Sequence, residues 1–394
     1  MSSIKPNPVP RFDLEAWRSE IPILKSFIPL NNCSHAPQSS RTRAAVETYL
    51  DSWDRDGMDW DRWLDEVEKA KAEFAALVRA DPDTIAISTS VSAATASLAS
   101  AFDFSGARNR IVASEAEFPT VGQVWRAHEK YGAQIDWVPV ENGIIESEAY
   151  EVAIDERVQV VSASHAYYQN GYKQDIGSIA KMAHSAGSWL FVDAYQTLGT
   201  CPIDVNVLDV DFLAGGTLKY LMAAPGIAFL YVRPSLIDRL KPALTGWFGR
   251  ANPFAFDAKS LDWSSTARRF ETGTPPILNS YVARAGISII NEIGIDSINH
   301  WTRILQTRLI EGGQARELEI HGCTDVDRKT PSTAFICPID SHCIEAGLRE
   351  RGVLASARGQ TIRLAPHFFN TLNEMDDALD ALVEVLSINT RSQK

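Results

Sequence analysis

The chain has 394 residues, of which 45% are hydrophobic and 22% charged, and its formal net charge is −12. This composition is typical of a globular protein with room for a large core and a second, smaller domain, and it excludes disordered and fibrous proteins. The acidic balance argues against nucleic acid as a partner, because a phosphate-binding surface needs a concentrated basic excess.

The N-terminal residues show no apolar run behind a basic start, and no stretch reaches the roughly 18 apolar residues of a membrane span. We therefore expect no signal peptide, no membrane contact and a cytoplasmic protein. The five cysteines form no CxxC pair, and their odd number suits a reducing compartment better than a disulfide framework. CPIDSHC has no second pair of ligands nearby, so we predict no metal site.

Residues 1–60 mix prolines, polar turns and one helical stretch, and we interpret them as an N-terminal arm and helix. From residue 61 to 275, short apolar strands alternate with helices of 3.6-residue period. This pattern predicts an α/β fold with a mostly parallel sheet flanked by helices, in which ligands bind at the carboxyl ends of the strands. Residues 276–394 read as a smaller C-terminal α+β domain.

The strand TIAI leads into STSVSAAT, residues 88–95, where an alanine-rich helix begins. Hydroxyl groups and free backbone N–H groups at a helix N-terminus hold anions, so this stretch predicts a phosphate-binding cup. A plain helix cap is the alternative, since Ser88, Thr89 or Ser90 would cap the helix equally well.

A carboxylate ends the strand SWLFVD, and Asp193 is expected to face the ligand there. For a ligand with a heteroaromatic nitrogen, Asp193 would keep that nitrogen protonated and Gln196 would hydrogen-bond a ring substituent. The alternative for Asp193 is a turn-forming role. Phe118, which follows RIVASEAE, either stacks on a flat ring or belongs to the core.

Lys219 lies in the otherwise uncharged run FLAGGTLKYLMAAPGIAFLYV, residues 212–232. A lysine stripped of water is either paired or reactive. With a phosphate cup, a strand-end aspartate and an aromatic face, it completes the groups that hold pyridoxal phosphate, Lys219 forming the Schiff base. The glycine fingerprints GxGxxG and GxxxxGK[ST] are absent, which disfavours dehydrogenases and P-loop NTPases.

From FIPLNNCSHAP to IRLAPHFFNT, the sequence resembles the class V branch of fold-type I pyridoxal-phosphate enzymes, which includes kynureninases and cysteine desulfurases. KYLMAAPGIAFLYV, GWFGRANPFAFD and RRFETGTPPIL are most similar to kynureninase. The resemblance implies a fold-type I fold, pyridoxal 5'-phosphate as cofactor, an α-amino acid as substrate and a homodimer with shared active sites.

Carried over to this sequence, the resemblance makes Lys219 the Schiff-base lysine and Asp193 the partner of the pyridine nitrogen. Arg363, in TIRLAP, matches the arginine that holds the substrate carboxylate, a task that suits a bidentate guanidinium. The further cofactor-binding residues that we predict are Ser90, Val91, Ser92, Phe118, Gln196, Thr217, Trp247 and Thr274, the last two matching positions that the second subunit often supplies. His35, Tyr168 and Arg250 are candidates to contact the substrate side chain, with a structural role as the alternative.

The positions at which this chain differs from kynureninases and cysteine desulfurases affect which reaction we expect. Kynureninases usually have Tyr, Asp and His where this chain has Leu218, Val121 and Arg250, and no cysteine precedes Arg363 in LASARGQTIRLAP to carry a persulfide. We expect a kynureninase-like lyase or hydrolase that cleaves at the side chain, at Cβ–Cγ or C–S. An aminotransferase or amino-acid epimerase is the alternative, and a non-catalytic binding protein is the alternative from another class.

Overall fold

The structure is a computed structural model that describes residues 8–392. Residues 1–7 of the predicted arm and residues 393–394 of the predicted C-terminal domain lie outside the described residues. The strands, in chain order, are β1 (Ile28–Pro29), β2 (Ile85–Ser88), β3 (Arg110–Ser114), β4 (Gln134–Val138), β5 (Val158–Ser164), β6 (Trp189–Asp193), β7 (Phe212–Gly216), β8 (Ala228–Val232), β9 (Thr333–Ile336), β10 (Val353–Leu354), β11 (Ser356–Arg358) and β12 (Thr361–Leu364).

Helices precede, separate and follow these strands. They are α1 (Leu14–Ser19), α2 (Ser40–Asp56), α3 (Trp60–Val78), α4 (Val91–Ala99), α5 (Pro119–Arg126), α6 (Glu148–Ala153), α7 (Ile176–Ser185), α8 (Pro234–Ile237), α9 (Ile277–Ile293), α10 (Ile295–Ala315), α11 (Ser341–Glu350) and α12 (Leu372–Ser392). Within residues 8–392, no helix combines the length and apolar character that crossing a bilayer requires.

A seven-stranded sheet in the order β2-β8-β7-β6-β5-β3-β4 forms the centre of the molecule. Strand β8 runs antiparallel to both of its neighbours, and the other pairs are parallel. Along β6, Leu190 and Val192 pack in one hydrophobic cluster and Phe191 in another, because successive side chains of a strand point to opposite faces. The prediction of a mostly parallel sheet covered by helices on both faces is confirmed.

The long helices α2 and α3 pack against α9. Helix α3 turns one apolar stripe inward, with Trp63, Val67, Ala70 and Phe74 buried at helical spacing. Tyr49 of α2 meets Tyr281 of α9 with ring centroids 5.7 Å apart. The first helix of the predicted C-terminal domain therefore packs on helices from the N-terminal part of the chain, and the predicted domain boundaries stay predictions.

The C-terminal residues build a three-stranded antiparallel sheet in the order β11-β12-β9, next to α10, α11 and α12. Helix α12 buries Met375, Leu379 and Leu382 against this sheet and its helices. Strand β1 pairs in parallel with β10, so the N-terminal segment is tied to the C-terminal one. This pairing brings the loop after β1 towards the carboxyl ends of the central strands.

Candidate active site

A cavity of about 360 Å³ lies where the carboxyl ends of β5 and β6, the segment after β7 and the β11–β12 hairpin meet. The position agrees with the rule that ligands bind outside the carboxyl ends of parallel strands. Most of the predicted site residues line this one cavity: Ser90, Val91, Ser92, Phe118, Tyr168, Asp193, Gln196, Lys219 and Arg363.

Lys219 lies just after β7, and its side chain is half-buried. Its Nζ is 4.1 Å from the ring centroid of Tyr195 and 5.7 Å from that of Phe118. Loss of hydration lowers the pKa of Lys219 to about 8, against the opposing charge of Asp193. A larger share of the amine is therefore neutral near neutral pH than for a hydrated lysine, which is the form that attacks a carbonyl carbon.

Asp193 ends β6 and is buried beside the cavity. Its Oδ1 accepts a hydrogen bond from the Tyr195 backbone N–H at 2.9 Å, so Asp193 both forms a turn and lines the cavity. Burial raises the pKa of the carboxyl, while its hydrogen bond from Tyr195 and the charge of Lys219 oppose the rise. An anionic Asp193 suits a protonated ring nitrogen, because that pairing compensates a buried charge.

Two helix N-termini meet at one end of the cavity. Ser90 caps α4 by accepting a hydrogen bond from the Ala93 N–H at 3.1 Å, and Ser92 Oγ lies 2.7 Å from Thr120 Oγ1 in the first turn of α5. The N–H groups of Val91 and Ser92 belong to the first turn of α4, where a helix offers them no acceptor. The helix cap and the phosphate-binding cup predicted from STSVSAAT are therefore compatible.

Arg363 is 1% exposed and lies on β12, opposite Ser356 of β11. Its Nη1 donates to the Tyr168 carbonyl at 2.5 Å, and its Nη2 donates to Ser34 Oγ at 2.8 Å and Ser356 Oγ at 2.7 Å. Its Nε is buried without a partner among the described residues. A buried cation held by neutral acceptors retains the capacity to bind an anion.

Aromatic and amide groups complete the walls. The Phe118 side chain is 40% exposed, so it is not a core residue, and its ring meets Tyr168 edge-on with centroids 5.2 Å apart. Gln196 is buried and donates from Nε2 to the Cys33 carbonyl at 3.1 Å. These groups line the same cavity as Asp193 and Lys219.

Other predicted residues lie elsewhere in this chain. Thr217 is fully buried, donates to the Ala224 carbonyl at 3.0 Å and does not line the cavity. His35 is exposed and borders a neighbouring cavity of about 390 Å³, which shares Pro225 with the first. Their assignment to the cofactor and to the substrate stays a prediction.

Trp247, Arg250 and Thr274 are also outside the cavity. Trp247 and Arg250 border a separate surface cavity, where the Arg250 guanidinium stacks 3.9 Å from the ring centroid of Trp263. Thr274 is exposed. Within a single chain the structure does not bring these residues to Lys219. The predicted roles of Trp247 and Thr274 depend on a second subunit, and the role of Arg250 at the substrate side chain stays a prediction.

Glu117 was missed by sequence reasoning, although it is the last residue of RIVASEAE. It is buried, and its Oε1 and Oε2 accept hydrogen bonds from Ser162 Oγ at 3.1 Å and Ser164 Oγ at 3.2 Å. Burial, together with the charge of Asp193, raises the pKa of Glu117 to about 8. Its position directly before Phe118 was the sequence feature that could have identified it. Further cavity residues without a sequence signal are Cys33, Ser34, Thr120, Tyr195 and Arg358.

The family model described as aminotransferase class-V matches residues 60–372. The chain belongs to the aminotransferase class-V family. Among curated relatives, the uncharacterized aminotransferase YcbU of Bacillus subtilis (strain 168) is 36% identical over 370 residues, covering 93% of this chain and 97% of that protein. A kynureninase of Pseudomonas fluorescens is 28% identical over 249 residues, covering 61% of this chain and 59% of that protein.

Solved structures share the fold of this chain. The apo cysteine desulfurase of Thermococcus onnurineus NA1 has a TM-score of 0.86 at 22% identity, covering 95% of this chain and 98% of that chain. A variant of C-DES with glycine covalently linked to its PLP cofactor has a TM-score of 0.85 at 17% identity, covering 93% and 99%. The fold-type I prediction is thereby confirmed.

Class-V membership makes this protein a pyridoxal-phosphate-dependent enzyme. The cavity fits that cofactor, because it combines an amine of lowered pKa, a buried carboxyl at a strand end and first-turn N–H groups of α4. The unpartnered Nε of Arg363 leaves a donor for a substrate anion beside these groups.

Proposed function

We propose that this class-V enzyme holds pyridoxal phosphate on Lys219 and cleaves an α-amino acid at its side chain, at a Cβ–Cγ or C–S bond, as a lyase or hydrolase. The observation that carries the proposal is the shared cavity of Lys219, Asp193 and Arg363. Similarity to a kynureninase and to cysteine desulfurases supports side-chain cleavage.

When bound, pyridoxal phosphate supplies a ring that withdraws electrons from the substrate Cα. In this proposal Asp193 keeps a proton on the ring nitrogen, and the N-termini of α4 and α5 hold the phosphate. Arg363 orients the substrate through its carboxylate. The amine of Lys219, with its lowered pKa, removes the proton from Cα and returns it.

The proposed reaction needs no persulfide. The β11–β12 hairpin that carries Arg363 contains no cysteine. Cys33 lines the cavity but is 1% exposed, whereas a sulfur-carrying cysteine must reach both the substrate and an acceptor. An aminotransferase is the second candidate, favoured by the 36% identity to the uncharacterized aminotransferase YcbU.

We also propose a homodimer in which each subunit completes the other's site. Trp247 and Thr274 match phosphate-side positions, yet they lie outside the cavity of their own chain. Near Trp247 the surface exposes apolar side chains, with Phe254 43%, Phe256 77% and Leu261 66% exposed. Such a patch is larger than an isolated surface residue and favours association.

Borohydride reduction of protein incubated with pyridoxal phosphate tests the assignment of Lys219. We expect the wild type and the exposed-lysine control Lys241→Ala to retain the cofactor covalently, and Lys219→Ala to lose it after dialysis. Peptide mass mapping locates the modified residue. Cofactor fixed covalently in Lys219→Ala would show that another lysine is the anchor.

Product analysis distinguishes side-chain cleavage from transamination. The panel of amino acids includes kynurenine, alanine and cysteine conjugates. A shortened amino acid or a cleaved side chain, with the bound cofactor spectrum restored, is the expected result. Conversion of the cofactor to its amine form, with release of a 2-oxo acid, would instead establish an aminotransferase.

A further inference from the structure

The hairpin that carries Arg363 also carries a second arginine. Ser356 lies opposite Arg363, and Arg358 lies opposite Thr361 at the end of β11. Side chains two positions apart on a strand share a face, so Arg358 projects on the side of Ser356, whose Oγ accepts a hydrogen bond from Arg363. Both arginines line the cavity of Lys219.

Arg358 has no hydrogen-bond or ion-pair partner for its guanidinium within residues 8–392. Other arginines of the C-terminal part are paired with carboxylates of α12: Arg308 with Asp376, Arg316 with Asp380 and Arg351 with Glu384. The exposed Arg358 thus keeps all of its donors free at the cavity wall. A planar guanidinium in that state suits bidentate binding of a carboxylate or sulfinate.

The charges around the cavity are unequal. Lys219, Arg358 and Arg363 are basic, and Asp193 is the acidic residue that lines the cavity. Desolvation is the main cause of the lowered pKa of Lys219, and the charges of Arg363 and Arg358 lower it further, so all three groups act on one space. When Arg363 binds the α-carboxylate of the substrate, Arg358 still has no negative charge to pair with.

We propose that Arg358 binds an acidic group on the substrate side chain, and that the enzyme acts on α-amino acids whose side chain ends in a carboxylate or sulfinate. This inference rests on the proposed function, because it assumes that Arg363 holds the α-carboxylate. Arg358 is then a specificity-determining residue, which sets the preferred substrate without taking part in proton transfer.

The test compares acids with their isosteric amides on the cofactor-loaded enzyme. Dissociation constants for L-aspartate, L-asparagine, L-glutamate and L-glutamine are read from the change in absorption of the bound cofactor. We expect the wild type to bind at least one acid about tenfold more tightly than its amide, as a charge-assisted contact predicts. Arg358→Gln should bring this ratio to about one, with amide binding and melting temperature unchanged.

Three further variants separate this role from a general one. Arg349→Gln removes an exposed positive charge that stacks on Phe27, outside the cavity, and should keep the wild-type ratio. Arg363→Gln should weaken the binding of acids and of amides to the same extent. Arg358→Lys, which keeps the charge but loses the bidentate fork, should retain part of the preference.

The outcomes distinguish the two proposals. The role of Arg358 is overturned if the wild type binds amides as tightly as acids. It is also overturned if Arg358→Gln weakens the binding of acids and amides equally. Either result leaves the proposed function standing. If kynurenine perturbs the cofactor spectrum and none of the four amino acids does, the role of Arg358 is likewise overturned and the proposed function stands. If none of the four amino acids perturbs it, and neither kynurenine nor the cysteine conjugates do, both proposals are wrong.

Discussion

Two buried carboxyl groups near the cavity differ in what they contact. Asp193 accepts a backbone N–H and faces Lys219, whereas Glu117 accepts hydrogen bonds from two serine hydroxyl groups. Two neighbouring carboxylates do not both ionise readily in a buried site. With a pKa of about 8, Glu117 is mostly protonated at neutral pH, so it adds little negative charge beside Asp193.

Glu117→Gln should change how stability depends on pH. The pKa of Glu117 in the folded protein, about 8, lies above the ordinary value of 4.5, so the folded state binds an extra proton between these values. The resulting stabilisation is fully present below pH 4.5 and is lost as pH rises through 8, at up to about 1.4 kcal/mol per pH unit. Glu117→Gln should remove this contribution, as measured by urea unfolding from pH 5 to 8.

The exposed Glu156→Gln is the matched control for that change, and it should keep the wild-type slope of unfolding free energy against pH. Identical slopes for the wild type and Glu117→Gln would mean that Glu117 is ionised in the folded protein at neutral pH. The protonated state of Glu117 at neutral pH would then be wrong.

At the scale of elements, α5 shows how a helix start shapes the site. Taken alone, the residues VGQVWRAHEKYG, 121–132, predict a helix. The helix instead begins at Pro119, a residue whose fixed φ suits the first helical position, and ends at Arg126 before a short 3₁₀ turn at Glu129–Tyr131. The earlier start puts Thr120 in the first turn, next to Ser92 of α4.

Gly216, the glycine that ends β7, has a steric role. A Cβ on Gly216 would lie 2.5 Å from Cζ of Tyr195, whose ring packs against Nζ of Lys219. The strand end therefore lets the Tyr195 ring approach its backbone closely, and this ring contacts the amine. The missing side chain at Gly216 is part of the site.

Gly216→Ala should displace the Tyr195 ring and weaken cofactor binding by about tenfold, because overpacking at a buried contact costs about 1–3 kcal/mol. Fluorescence titration of the cofactor-free protein with pyridoxal phosphate measures the change. Gly106→Ala, where a Cβ meets nothing within 4 Å, is the control and should bind as the wild type does. Unchanged affinity in Gly216→Ala would show that Tyr195 does not support the amine.

At the scale of the whole molecule, the proposed dimer accounts for the predicted residues that lie apart from the cavity. Phe256→Glu places a charge in the exposed apolar patch around Trp247, where Phe256 stacks on the Trp247 ring with centroids 6.0 Å apart. We expect this variant to sediment as a monomer at micromolar concentration and to bind pyridoxal phosphate more weakly than the wild type.

Val152→Glu is the control for that experiment, because Val152 is 92% exposed on α6, away from the patch. It should sediment as the wild type does. A wild type that is monomeric and still binds the cofactor tightly would contradict the shared site, and Trp247 and Thr274 would then have no role at the phosphate.

The fold class and the cofactor were predictable from the sequence. The apolar strands alternate with helices in chain order, and this local pattern is sufficient for a parallel sheet. Asp193, Lys219 and STSVSAAT were found because each closely follows a strand, and the ends of parallel strands meet at one edge. Prediction was possible wherever the signal is contained in one short stretch of chain.

Only the tertiary structure decided the groups that depend on contacts between distant segments. Arg363 donates to the carbonyl of Tyr168, 195 residues away, and Glu117 meets Ser162 across 45 residues. The free guanidinium of Arg358 and the distance of Trp247 from the cavity are likewise properties of the folded chain. Local periodicity specifies which elements form, but packing specifies which side chains share a cavity, because burial and charge arise from neighbours that the sequence does not place side by side.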